Sequence, residues 1–180
     1  MKRQAWGYRV AVVVVCAPGL RTAADTPCVN PPPGMTAWWP LDDTSGSVTA
    51  ELVAGYDGTL VGGPLPVAGR VNGALDVGGS ANYVEATHGG THDPPNLTID
   101  ACVYLRTLGP RRSVTEVAGA RGEFYAFFID GGELLFEACD AFVCISNNRS
   151  GASIGANQWV HVAVTASAGG AITFFVNGAP

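Results

Sequence analysis

Apolar and polar side chains alternate along much of this chain. The alternation is clearest in 97–105, where Leu97, Ile99, Ala101, Val103 and Leu105 point one way and Thr98, Asp100, Cys102 and Tyr104 the other. A period of two marks a half-buried strand, with one face on a core and the other toward water. Runs of the same kind predict strands over 35–41, 58–61, 74–77, 83–86, 97–106, 114–118, 124–130, 133–138, 143–146, 159–167 and 171–176. Turn tokens such as Gly62-Gly63-Pro64, Asp130-Gly131-Gly132 and Ala168-Gly169-Gly170 separate nearly all of them, and no long window keeps a helical period. So many half-buried strands cannot share one flat sheet without exposing apolar surface. The pattern therefore predicts an all-β fold, a two-sheet antiparallel sandwich or jelly roll. Its inner-face candidates are Trp38, Leu60, Val84, Ile99, Val103, Phe127, Leu134, Phe136, Val162, Val164 and Phe174.

Near the end, Ile172 to Val176 runs into Asn177-Gly178, the dipeptide that most favours a tight hairpin turn. A hairpin turn predicts a returning strand, and only Ala179 and Pro180 follow. The expectation is a fold missing at least one C-terminal strand, with an apolar edge left unpaired.

Composition narrows the function classes. With 47% apolar and 14% charged residues and 24 Gly in 180, the chain makes one globular domain rather than a disordered or long-helical protein. A net charge of −5 without a basic stripe beyond Arg112 excludes nucleic acid as a partner.

The first 24 residues read as a secretory signal: Lys2, Arg3 and Arg9, then apolar Val10 to Ala17, then small residues ending Thr22-Ala23-Ala24. The apolar run is far shorter than the ~20 residues of a membrane-spanning helix, so no membrane span is expected. Cleavage after Ala24 removes four basic residues and no acidic one, taking the charge from −5 to −9. Residues 25–34, with Pro31-Pro32-Pro33, form a stiff linker, and 35–180 the folded domain. In a secreted or periplasmic setting Cys28, Cys102, Cys139 and Cys144 predict disulfides, with three connectivities open. Cys139 and Cys144, flanking a four-residue hairpin loop, are the first pair expected, and Cys28 with Cys102 follows by elimination. Zinc is the rival use, but no C-x-x-C is present to begin a tetrahedral site.

Several segments, taken in order, resemble a known group. Gly34 to Asp42, Asp57 to Gly63, Val67 to Leu75, Tyr83 to Glu85, Leu97 to Val103, Trp159 to Thr165 and Phe175 to Gly178 are similar to the laminin-G-like jelly rolls of the concanavalin A-like lectin and glucanase superfamily, of the type found in secreted bacterial proteins. The chain departs from that pattern at Cys102, where relatives carry Trp, at Ala81-Asn82, where they carry two polar or acidic residues, and in lacking the family's closing strand. The resemblance implies a calcium site at the sandwich rim, on the segment from Asp76 to Asn82 with Asp76 and Asn82 as ligands.

Fold alone does not name chemistry. Glucanases act through two carboxylates about 5 to 9.5 Å apart, whereas Glu133 and Glu137, the nearest acidic pair on one strand face, stand roughly 13 Å apart. No catalytic residue is expected. His161 reads as a packed strand histidine, and His88, His92 and Asp93 as a solvent loop. Sugar recognition needs exposed aromatic faces beside polar groups, and Trp39, Tyr104 and Tyr125 are the platforms. Asn96-Leu97-Thr98 and Asn148-Arg149-Ser150 fit glycan acceptor sites. The expected function is a secreted, non-catalytic recognition or adhesion module for carbohydrate or a cell-surface polymer. A glycan hydrolase and a structural spacer of a longer extracellular protein are the alternatives.

Overall fold

A computed structural model of the chain describes residues 9–10, 30–78, 81–87, 95–118, 124–139 and 144–180. Among these there is no helix, and every ladder is antiparallel. The strands are β1 (Arg9–Val10), β2 (Val48–Thr49), β3 (Gly58–Val61), β4 (Leu65–Ala68), β5 (Gly73–Asp76), β6 (Tyr83–Ala86), β7 (Leu97–Tyr104), β8 (Arg112–Ala118), β9 (Phe124–Asp130), β10 (Glu133–Cys139), β11 (Cys144–Ser153), β12 (Trp159–Ala166) and β13 (Ile172–Val176).

Two sheets make the sandwich. One has the order β1-β8-β9-β10-β11 and the other β13-β12-β7. The predicted alternation fills the space between them: Val114, Phe127, Ile129, Leu134 and Phe136 come from the first sheet, and Ala101, Val160, Val162 and Val164 from the second. Leu97, Ile99, Val103 and Phe174 pack against this core from the second sheet. Burial of four large side chains with almost no exposure, Phe127, Phe136, Leu134 and Leu135, supplies ~1.5–3 kcal/mol each. The turn tokens act as expected. Gly131 (φ 61°) and Gly132 (φ 93°) close the β9–β10 hairpin, and Asn177 (φ 50°) and Gly178 (φ 81°) turn the chain so that Val176 bridges Ala179. Both pairs have the two positive φ values of a tight hairpin turn.

Beside the sandwich lie a three-stranded sheet, β2-β3-β6, and the β4–β5 hairpin. The strand expected over 35–41 does not form. Pro40 offers no N–H, and Leu41 leaves the extended region at φ 58°, a conformation unusual for a bulky side chain. That segment is instead held by its side chains and by one acid. Trp39, Leu41, Val84 and Ala86 form a second core, and Asp42 accepts the Gly73 N–H at 3.0 Å and the Asn72 amide at 3.2 Å.

The acid is Glu51, only 5% exposed. Its Oε1 accepts N–H groups from Trp38 (2.7 Å) and Val53 (2.8 Å), and its Oε2 those from Ala54 (2.6 Å), Gly55 (2.7 Å) and Tyr56 (3.3 Å). Burial pushes this carboxyl up, but the backbone donors together outweigh it and hold the group below its ordinary value. Sequence reasoning missed Glu51, because no local pattern shows that a loop will wrap its N–H groups round one side chain. It also missed β2 and β4, and it ended β11 seven residues early.

Candidate functional site

The exposed chemistry gathers on the outer face of the β13-β12-β7 sheet. The register sets Trp159 opposite Tyr104, His161 opposite Cys102, Ala163 opposite Asp100 and Thr165 opposite Thr98. The partners alternating with these carry the core, so this set faces outward. Tyr104 is 45% exposed, and its ring meets Trp159 edge to face with centroids 5.6 Å apart, a favoured aromatic geometry that fixes both rings.

One rung along, His161 Nε2 stands 3.5 Å from Asp100 Oδ1. That is long for a strong direct hydrogen bond and short enough for one hydroxyl to touch both groups. The backbone of His161 is pinned by Asn177, whose Oδ1 accepts its N–H at 3.0 Å. Cys102 and Ala163, 7% and 6% exposed, are the small residues between. The loop joining β4 to β5 carries Arg70, whose charge reaches the Cys102 thiol.

Of the three predicted platforms, Tyr104 alone lies open. Trp39 is 4% exposed and donates its indole N–H to the Tyr56 carbonyl at 3.0 Å, because both Trp38 and Trp39 are buried in a segment that is not a regular strand. Tyr125 points inward with Phe127, stacked on Phe136 at 6.5 Å. The sequence contained that signal, since residues 125, 127 and 129 share one parity. Trp159, the true neighbour of Tyr104, was hidden by the register of strands far apart in the chain.

The rim segment does not fit a hard cation in the arrangement its described residues adopt. Arg106 holds both oxygens of Asp76, at 3.1 Å for Nη1 to Oδ1 and through a closer contact for Nη2 to Oδ2, and Oδ1 also accepts the Gly78 N–H at 2.8 Å. The Arg106 hydrogen bond is the main reason that the Asp76 carboxyl sits below its ordinary value. Asn82 donates its amide to the Gly78 carbonyl at 3.0 Å. A guanidinium already neutralises the one carboxylate, where calcium wants six to eight oxygens. Among the described residues no group of three or more His, Cys, Asp or Glu is placed to hold a metal. His88, His92 and Asp93 lie outside the described residues.

Three carboxylates of the five-stranded sheet, Asp130, Glu133 and Glu137, are also engaged. Arg149 reaches Asp130 at 2.8 Å and Glu133 at 2.9 Å, and Arg111 pairs with Glu137 at 3.1 Å while lying over the Phe128 ring. Of the two acceptor asparagines, Asn148 is half-buried and donates to the Phe136 carbonyl at 3.4 Å, and Asn96 is exposed with its Oδ1 accepting the Ala168 N–H at 3.2 Å.

For the cysteines, the ladder sets Cys139 opposite Cys144, and Cys139 is disulfide-bonded. The bridge expected between Cys28 and Cys102 is not formed. Cys102 is a free, buried thiol, packed on the rung of His161 where a crosslinking chain has little room. Cys28, the predicted linker before residue 30 and nearly all of the predicted signal lie outside the described residues. Within 1–24, Arg9–Val10 pairs with β8 at Glu116 and Thr115.

No curated protein and no solved structure matches the chain. The family match begins just after β5 and takes in β6 to β13, and so the whole β13-β12-β7 sheet with the outer face that carries Tyr104 and Trp159, and every strand of the five-stranded sheet except β1. Residues 78–180, more than half of the chain, match the laminin-G-type family described as the concanavalin A-like lectin/glucanases superfamily, and the chain belongs to that family.

Proposed function

We propose that this chain is a secreted, non-catalytic recognition module that binds carbohydrate, free or on a cell-surface polymer, through the outer face of β7 and β12. The observation that carries the reading is the exposed Tyr104 ring, braced by Trp159 beside the Asp100–His161 pair. Sugars stack their apolar ring faces on such platforms while nearby polar groups read the hydroxyls. Domains of this superfamily commonly bind carbohydrate or serve adhesion and are typically extracellular, which agrees with the charged, apolar and small-residue order of residues 1–24.

The non-catalytic part of the reading rests on charge pairing. Asp130 and Glu133 share one guanidinium, Glu137 has another, and Glu51 is buried under backbone donors. None of these is poised as a free acid and base across one glycosidic bond. Among the described residues no helix is long and apolar enough to cross a membrane. A Cys139–Cys144 bridge, closing the loop between β10 and β11, belongs to the same reading of an exported domain.

A glycan array probed with the protein, with and without calcium chelator, tests the proposal. Binding that persists in chelator and falls in Tyr104→Ala and Trp159→Ala supports it. Absence of binding to every glycan in both conditions, or binding indifferent to both substitutions, overturns it.

A further inference from the structure

The same face carries a third aromatic residue, beyond Tyr104 and Trp159, at a spacing that bears on ligand length. On β13, Phe175 stands opposite Ala163. Ile172, Phe174 and Val176 pack on the sandwich core, so alternation turns Phe175 outward, where it is half-buried. Ala163 lies four residues along β12 from Trp159. At ~3.3 Å per residue, the Tyr104–Trp159 pair and Phe175 are therefore separated by roughly 13 Å along the strand. That exceeds the length of one sugar ring.

Between the two platforms the floor is low, formed by Cys102 and Ala163, and the Asp100–His161 pair lies within the same span. Beyond it, Thr98, Thr165 and Thr173 continue the face as a polar rung. Asp100 puts a carboxylate on this face. The chain as a whole carries −5, so a polyanion is repelled at long range.

Resting on the carbohydrate reading above, we infer that this face takes a linear, neutral oligosaccharide laid along β12. One sugar stacks on the Tyr104–Trp159 pair and another on Phe175, and a hydroxyl of the sugar between donates to Asp100 and accepts from His161. The unit recognised is then a stretch of chain rather than a terminal monosaccharide. Phe175 sets the minimum length, and the Tyr104–Trp159 pair supplies the anchor.

Titration calorimetry tests this with 1,4-linked tetrasaccharides of glucose, mannose and xylose, the corresponding monosaccharides, and polygalacturonate as the anionic probe. At least one tetrasaccharide is expected to bind about tenfold or more tightly than its monosaccharide, with polygalacturonate weaker than both. Phe175→Leu, which keeps an apolar side chain at the position, is expected to lower tetrasaccharide affinity several-fold and leave the monosaccharide unchanged. Trp159→Ala is expected to weaken both. A tetrasaccharide that binds no better than its monosaccharide, an affinity untouched by Phe175→Leu, or preference for polygalacturonate overturns this inference and leaves the carbohydrate reading standing. If none of these sugars binds, this inference falls, and the carbohydrate reading falls with it only when the glycan array is blank as well.

Discussion

The backbone N–H of Trp38 donates to Oε1 of Glu51 at 2.7 Å, tying the segment that enters the domain to a loop thirteen residues further on. Four more N–H groups converge on the same carboxylate. In Glu51→Gln the amide nitrogen accepts nothing, so the donors on that side lose their partner in a buried place. The expected loss is about 3 kcal/mol, the scale of hydrogen bonds to a buried charge, or roughly 6 to 12 °C in Tm for a chain of this size. The pH dependence has a defined sign. With the folded-state pKa of Glu51 held below the unfolded one, its contribution is full above the unfolded value and lost as pH falls through the folded value. Thermal melts from neutral to acid pH check this: part of the acid-side fall in wild-type Tm should be missing in Glu51→Gln. Parallel acid limbs in the two proteins would refute it.

Gly58 occupies the closest approach in the second core. A Cβ there would stand 2.4 Å from Val84 Cγ1 and 2.9 Å from Thr49 Cγ2, neither of which has room to swing away from a fully packed site. Gly58→Ala should therefore cost about 1–3 kcal/mol through overpacking. Val84→Ala removes the first clash, so the double variant should be more stable than the sum of the two single losses predicts. Urea denaturation of the four proteins measures the coupling. Simple additivity would mean that the crowding is relieved some other way.

How much of this was legible beforehand depends on whether a feature is local. The parity of Ile99, Ala101 and Val103 on β7, and of Phe127 and Ile129 on β9, is written in neighbouring residues, and it placed both inner faces correctly. The same parity should have turned Tyr125 inward. Trp39 was beyond such reasoning, because its burial depends on Leu41 taking φ 58° and on a distant carbonyl, that of Tyr56. The ring pair at the candidate site needed the register between β7 and β12, with Trp159 and Tyr104 as its first rung, and no local pattern encodes that. Glu51 and Arg149 were hidden for the same reason: each is defined by partners that only the folded chain brings together.

Cys102, expected from the cysteine count to pair with Cys28, is a free thiol 7% exposed. Burial raises its pKa, the Asp100 charge raises it further, and Arg70 opposes both. The thiolate is the reactive form, so native protein near neutral pH should resist iodoacetamide at Cys102 and react promptly after denaturation. Peptide mass mapping of both samples gives the answer. Rapid labelling of the native protein, or a crosslinked peptide joining Cys28 to Cys102 in a non-reduced digest, would contradict the arrangement.

Arg106 closes on both oxygens of Asp76 across the end of β7, and this bears directly on calcium. A cation entering the rim would have to displace a guanidinium that already satisfies the one carboxylate there, and then gather the rest of the six to eight oxygens that calcium wants from uncharged groups. Because the pair is exposed, with Arg106 at 64%, it adds little to stability, and Arg106→Gln should melt close to wild type. The same substitution unblocks Asp76, so it is the variant in which any latent affinity for calcium would emerge. Melting curves with added calcium and with chelator should coincide for the wild-type protein, since a ligand that binds only the folded state raises Tm in proportion to its occupancy. A calcium-dependent rise in wild-type Tm, absent in Asp76→Asn, would show that the ion displaces Arg106 and that the rim is a metal site after all.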